Sequence, residues 1–146
     1  MSDTMQSGAG VLRVAVVTPE GSVFDGEARC VVVPGDGGEV AFWPLHAAYV
    51  GALGEGELRI TRPGGEVQRW VLEGGVAEVA GSRVTVLADR VAPLASIDVA
   101  ATRASLAKAL ATVPADDAGN ALRDAAIRRA QVRLYLATRG AEGAPH

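Results

Sequence analysis

Apolar positions fall into two textures along this chain, with a seam near Pro93. Before the seam, short Val-rich runs alternate with turn signals at intervals of about 8–12 residues. Leu12–Val17 is the first strand candidate, Val23–Phe24 a brief second, and Ala28–Val33 a third, closed by Pro34-Gly35-Asp36-Gly37-Gly38. Glu39–Trp43 and Ala47–Leu53 follow. Glu57–Thr61 and Glu66–Leu72 flank Arg62-Pro63-Gly64-Gly65, a hairpin turn in composition, and Val76–Val79 and Arg83–Leu87 flank Ala80-Gly81-Ser82, another. Short strands with Gly-rich turns predict a sandwich or flattened barrel.

After the seam the period changes to that of a helix. Ser96 is placed to cap a helix opening at Ile97, with Asp98 in its first turn against the positive helix end. Val99, Leu106, Leu110 and Val113 recur at helical spacing, with Arg103 in the fourth slot, and Pro114 ends the pattern. Ala115–Asn120 reads as a loop, and Asn120 as the cap of a second helix. On that helix Leu122, Ala125, Val132 and Leu136 share a face, with Ile127, Ala130 and Leu134 beside it. Two helices joined by so short a loop predict an antiparallel hairpin. Its Ala-rich faces bury little area, at about 0.8 kcal/mol per CH₂, so it is expected to detach readily. The expected organisation is a disordered start over 1–10, a β-domain over 11–92, the hairpin over 93–139 and a flexible tail over 140–146.

The composition fits this division. Of 146 residues, 49% are apolar and 21% charged, which allows a packed core and argues against general disorder. No run approaches the roughly 18 apolar residues that span a bilayer, and MSDTMQSGAG lacks the basic start and apolar stretch of a signal peptide. The single cysteine, Cys30, excludes an internal disulfide and a CxxC site, and its apolar surroundings predict a buried thiol. The net charge of −3 hides an asymmetry: residues 1–93 carry 7 Lys/Arg against 12 Asp/Glu, and residues 94–146 carry 7 against 5. A basic C-terminal part on an acidic chain points to an acidic partner for that part.

Few residues invite chemistry. Gly35–Gly38 lacks the Lys-Ser/Thr step of a phosphate-binding loop, and Asp36 and Glu39 would repel phosphate, so it reads as a turn. His46 has no second histidine or cysteine nearby with which to hold zinc, and no nucleophile pattern surrounds Ser82 or Asp89. His46 reads as a residue of an ordered surface turn or a protein contact, and Glu39 as a solvated edge charge or a contact residue, both expected on the exposed rim of the β-domain within one patch. Arg128, Arg129 and Arg133 stand on the second helix, Arg129 and Arg133 one turn apart. They are a solvated face, or they meet an acidic protein or a phosphate group. Nucleic acid is not indicated, because no aromatic residues interleave with the arginines.

Four stretches, taken in order, resemble one family. LRVAVVTPEGSVFDGEA resembles an opening strand with its acidic residue and "phe-x-gly" turn. GGEVAFWPLHAAYVGAL resembles the signature "G-E-hydrophobic-small-x-x-P-x-H-A-P-hydrophobic", with Ala48 where the last proline stands. WVLEGGVAEVAGSRVTVLAD and RRAQVRLYLA resemble the family's later strands and its last helix. The family is the epsilon subunit of bacterial-type rotary ATP synthases.

The resemblance implies an α+β, mainly β fold: an N-terminal ten-stranded β-sandwich followed by a C-terminal antiparallel two-helix hairpin. It implies a central-stalk rotor subunit without catalysis of its own. Its partners would be the gamma subunit, the polar loops of the c-ring and, through the hairpin, the alpha/beta catalytic subunits. It would lie on the cytoplasmic face of the bacterial plasma membrane without a transmembrane segment. In the family the hairpin folds back or extends, and when extended it inhibits ATP hydrolysis. Glu39 and His46 fall on the signature turn, and the arginines Arg128, Arg129 and Arg133 would face an acidic loop of the beta subunit.

ATP-binding members carry "I/L-D-x-x-R-A". Here Ile97 and Asp98 match, but Ala101 occupies the arginine position and Arg103 comes two residues late, a rotation of roughly 200° on a helix. Ile97, Asp98, Arg129 and Arg133 are thus the nucleotide candidates of an incomplete site, and no cofactor is expected. The alternative from another class is a nucleotide-sensing β-sandwich whose arginine hairpin closes on its ligand.

Overall fold

The computed structural model of the chain describes residues 10–143, with side chains as far as Arg139. Its contacts divide into two compact units, with the division between Ala92 and Pro93.

The first unit is a β-sandwich. Its strands are β1 (Leu12–Thr18), β2 (Gly21–Ala28), β3 (Cys30–Gly35), β4 (Gly38–Phe42), β5 (Tyr49–Thr61), β6 (Val67–Ala80), β7 (Arg83–Ala88) and β8 (Val91–Pro93). They pair along one path in the order β2-β1-β7-β6-β5-β3-β4, with β8 on β6. The pairs along that path are antiparallel except β1 with β7, which is parallel.

Two long strands turn this path into two layers. The second half of β5 and the first half of β6 join β3 and β4, with Val31 opposite Ile60 and Leu58 opposite Trp70. The other halves join β7, β1 and β2, with Ala52 opposite Val76 and Val76 opposite Leu87. The change of layer falls at Gly74 and Gly75, at φ +83 and +138. A Cβ on Gly75 would overlap the Leu87 carbonyl oxygen and come within 2.9 Å of Ala88 Cα, so only glycine fits. Counted as halves, β5 and β6 bring the eight strands to ten segments. Ala47–Leu53 and Glu57–Thr61 are therefore parts of one strand, as are Glu66–Leu72 and Val76–Val79: the glycines between them bend the ladder without ending it. The short strand β8 carries no sequence signal of its own.

The core follows the two-residue alternation of each strand. Leu12, Val14 and Val16 of β1, Val31 and Val33 of β3, Leu58 and Ile60 of β5, Leu72 of β6, and Val84 and Val86 of β7 have no exposed surface. Phe24 packs edge-on against Trp70 with ring centroids 6.0 Å apart. Burial of such side chains stabilises by about 1.5–3 kcal/mol each. Cys30 is buried, as its surroundings predicted. Burial pushes its thiol up, against a smaller opposing effect of Arg59, which leaves the reactive thiolate scarce.

The second unit holds a 3-10 turn (Leu94–Ser96), helix α1 (Val99–Ala111) and helix α2 (Asp117–Gly143). Both expected caps are displaced. Ser96 Oγ donates to the Pro93 carbonyl at 2.7 Å, and Asp98 caps α1 by accepting from the Ala101 N–H at 3.0 Å. Asp116 Oδ1 accepts from the Gly119 N–H at 2.7 Å, so Asn120 lies inside the first turn of α2. The loop is accordingly 112–116, shorter and earlier than Ala115–Asn120. Of the start expected over 1–10, residues 1–9 lie outside the described residues. Of the tail expected over 140–146, the backbone is helical through Gly143 and the remainder lies outside them.

The inward faces of the helices also differ from the expected stripe. Thr102 of α1 is buried and its hydroxyl donates to the Asp98 carbonyl at 2.7 Å, while Leu110 and Val113 are exposed. On α2, Leu136 of the expected face is buried together with Ala130 beside it, whereas Leu122 is exposed.

Candidate protein-contact site

Glu39 stands at the start of β4, exposed, with Arg59 Nη1 2.9 Å from its Oε2. Arg59 also reaches Glu57 at 2.7 Å, and Arg69 reaches the other Glu57 oxygen at 3.1 Å. Glu57 is only 7% exposed, so the two arginines hold a carboxylate that would be costly to bury alone. Partial burial pulls the Arg59 guanidinium down, but the hydrogen bonds and the negative charges of Glu39 and Glu57 together outweigh that and hold it above its ordinary value. This ladder of charges on β4, β5 and β6 fixes Glu39 against the sheet.

His46 lies four residues past the end of β4. Its N–H closes a turn on the Trp43 carbonyl at 3.1 Å, its ring stands edge-on to Phe42 at 5.3 Å, and Nδ1 is 2.6 Å from the Ala47 carbonyl oxygen. The aromatic contact half-buries the ring, which was expected to be exposed. Glu39 and Phe42 are three residues apart on one strand, about 10 Å at the strand rise, so the His46 ring, on Phe42, is met at the end of β4 opposite Glu39.

A surface that the sequence reading did not single out lies on the outer side of the layer containing β7. Ala52, Val76 and Leu87 are neighbours in register across β5, β6 and β7, and the next along the row, Val17 of β1, is half-buried. Val76 is 41% exposed, Leu87 54% and Val50 71%. Trp43 and Leu45 are exposed on the turn after β4, where Leu45, at φ +63, donates its N–H to Ser82 Oγ at 3.2 Å beside the β6–β7 turn. Exposed apolar side chains side by side on one sheet face make a candidate interaction surface. The signal was available in β7: with Val84, Val86 and Ala88 facing in, Leu87 must face out.

The hairpin candidates sit as follows. Ile97 is extended and half-buried before α1, and Asp98 is committed to its cap. On α2, Arg128 is exposed, and Arg129 and Arg133 are half-buried one turn apart. Arg103 is exposed on α1. Among the described residues no group of three or more His, Cys, Asp or Glu side chains could hold a metal ion, and no helix is long and apolar enough to cross a membrane.

Residues 11–93 match the family described as ATP synthase, delta/epsilon chain, β-sandwich domain. The chain belongs to that family. Among its relatives, the ATP synthase epsilon chain of Dehalococcoides mccartyi is 40% identical over 131 residues, covering 86% of this chain and 91% of that one. The epsilon chain of Desulforamulus reducens is 38% identical over 125 residues, covering 86% and 90%. The fold is shared with a chain of the mitochondrial ATP synthase of Euglena gracilis, solved with OSCP, F1 and the c-ring, at a TM-score of 0.70 and 20% identity over 94% of this chain and 82% of that one. It is shared also with a chain of the central stalk and c-ring of the Tetrahymena thermophila enzyme, at 0.66 and 14% over 86% and 96%. Members of the ATP synthase epsilon family are non-catalytic stalk subunits, and this chain is one.

Proposed function

We propose that the chain is a rotor subunit at the foot of the central stalk, joining a gamma subunit to the polar loops of a c-ring on the cytoplasmic face of the bacterial membrane, and that its hairpin restrains ATP hydrolysis. The observation that carries this reading is the 40% identity to an ATP synthase epsilon chain over 131 residues, a length that takes in part of the hairpin as well as the sandwich. We assign the gamma contact to the apolar row Ala52, Val76 and Leu87, with Val50 two residues before Ala52 on β5. Glu39, held by Arg59, and the turn bearing His46 serve as polar contacts at the two ends of β4.

Leu87→Asp tests the assignment, because it adds a charge to the row while leaving the inward Val84 and Val86 untouched. Loss of a buried leucine contact is worth about 1.5–3 kcal/mol, so affinity for the gamma subunit is expected to fall roughly tenfold to a hundredfold by titration with unchanged circular dichroism. An unchanged affinity would remove the row from the gamma interface.

A nucleotide-closing hairpin is the second reading, favoured by Arg129 and Arg133 on one face of α2. Asp98 argues against it, since its carboxylate already holds the Ala101 N–H. Ala101 also leaves a phosphate without one charge-assisted pairing, worth about 1.5–3 kcal/mol. ATP is therefore expected to bind no tighter than about millimolar in calorimetry, and a micromolar dissociation constant would reverse this reading.

A further inference from the structure

The tip of the hairpin is joined by a different kind of contact from its base. At the base, Thr102, Ala130 and Leu136 are buried. At the tip, Leu110, Val113 and Leu122 are 53%, 90% and 72% exposed, so they contribute little packing between the helices there. Arg123 reaches across instead. Its Nε donates to the Thr112 carbonyl at 3.1 Å and its Nη2 to the Leu110 carbonyl at 3.3 Å.

Both acceptors belong to the end of α1, where the last carbonyls lack intrahelical partners. Two neighbours are already served from within: Lys108 O by the Thr112 hydroxyl at 2.8 Å, and Ala109 O by the Thr112 N–H at 3.2 Å. Arg123 satisfies Leu110 and Thr112 from the other helix. A cation at a helix C-terminus also meets the negative end of the helix dipole. Asp124 lies 3.6 Å from the guanidinium and is well exposed, so it competes weakly.

We propose that Arg123 is the clasp that holds the tip of the hairpin closed, so that the tip opens separately from the packed base. The clasp is an intrinsic property of the two helices and does not depend on whether the hairpin inhibits hydrolysis.

Hydrogen exchange on the full chain tests this with Arg123→Gln and Arg123→Lys. Loss of a two-point, charge-assisted contact is expected to speed exchange of the Leu106–Thr112 and Ala121–Ala125 amides roughly tenfold in Arg123→Gln. Amides of Ile127–Leu136 and of the sandwich should stay within about twofold of the parent. Arg123→Lys, which keeps the charge but not the planar fork, should fall between the two. Parent-like exchange at the tip of Arg123→Gln would overturn the clasp. So would an equal rise over Ile127–Leu136, which would make Arg123 a general stability residue, and so would full protection in Arg123→Lys, which would reduce its role to charge alone.

Discussion

A chain stopped at Ala92 is expected to remain soluble, to melt cooperatively and to release ATP hydrolysis in complexes that carry it. The first unit closes its own ladders, and its core is drawn from β1 to β7, so no strand before Pro93 requires a helix as its pairing partner. About 80 residues can sustain such a core. Loss of the hairpin should raise hydrolysis roughly fivefold or more, the lower end of typical coupling between sites, while synthesis should largely survive because the surface proposed to join gamma is kept. Replacing Arg128, Arg129 and Arg133 together by glutamine should give part of the same rise, larger at 50 mM than at 200 mM salt, since screening shortens from roughly 14 Å to 7 Å over that range. Hydrolysis rates of complexes with full-length, truncated and neutralised chains are the measurement. Equal rates would leave the hairpin without an inhibitory role, and failure of the truncated chain to assemble would show that the sandwich is not self-sufficient.

Gly75→Ala should nearly unfold the sandwich. The residue sits at φ +138, and the added methyl would overlap the Leu87 carbonyl oxygen inside the ladder that joins β6 to β7. Strained backbone costs about 1–3 kcal/mol, and a backbone clash that must be relieved by parting two strands brings the total to about 4 kcal/mol or more. A domain of this size holds on the order of 5–10 kcal/mol in all. The melting temperature should therefore fall by about 15 °C or more. Gly81→Ala is the control: at φ +61 it shares the left-handed backbone, but nothing lies within 4 Å of its Cβ position. It should cost only about 1 kcal/mol. Similar losses at the two positions would show that steric overlap at the bend does not govern the difference.

The sandwich was largely legible because alternation is a strong constraint: Leu12, Val14 and Val16 can face one core only if Arg13, Ala15 and Val17 face away. What alternation does not reveal is whether a glycine ends a strand or bends it, and so β5 and β6 each read as two. The hairpin was legible as two helices but not in rotation. Ala-rich helices bury little on any face, so Leu110 and Leu122 could be assigned inward by spacing while Thr102 and Ala130 take the interior. Caps failed for a related reason. Ser96, Asp98, Asp116 and Asn120 all suit the role, and the 3-10 turn over Leu94–Ser96 decides between the first two. Of the surface proposed for partner contact, only part draws notice in the sequence. Glu39 and His46 carry polar labels that draw notice, whereas the apolar row needs the pairing of β5, β6 and β7 before its members become neighbours.

The parallel pairing of β1 with β7 imposes an order on biosynthesis. Val14 finds its partner Val84 only after seventy further residues have been added (84 − 14). Until then β1 and β2 form a lone two-stranded ribbon, which is marginal in water. A chain emerging from the ribosome therefore has to keep its first strand unsatisfied until nearly the whole first unit is out. Pairing over so long a separation is slow to form. A chaperone or an early-arriving partner that shields the Leu12–Val17 segment would act in that interval, and a translational pause placed after β7 has left the ribosome would lengthen the time available for the sheet to close before the helices appear.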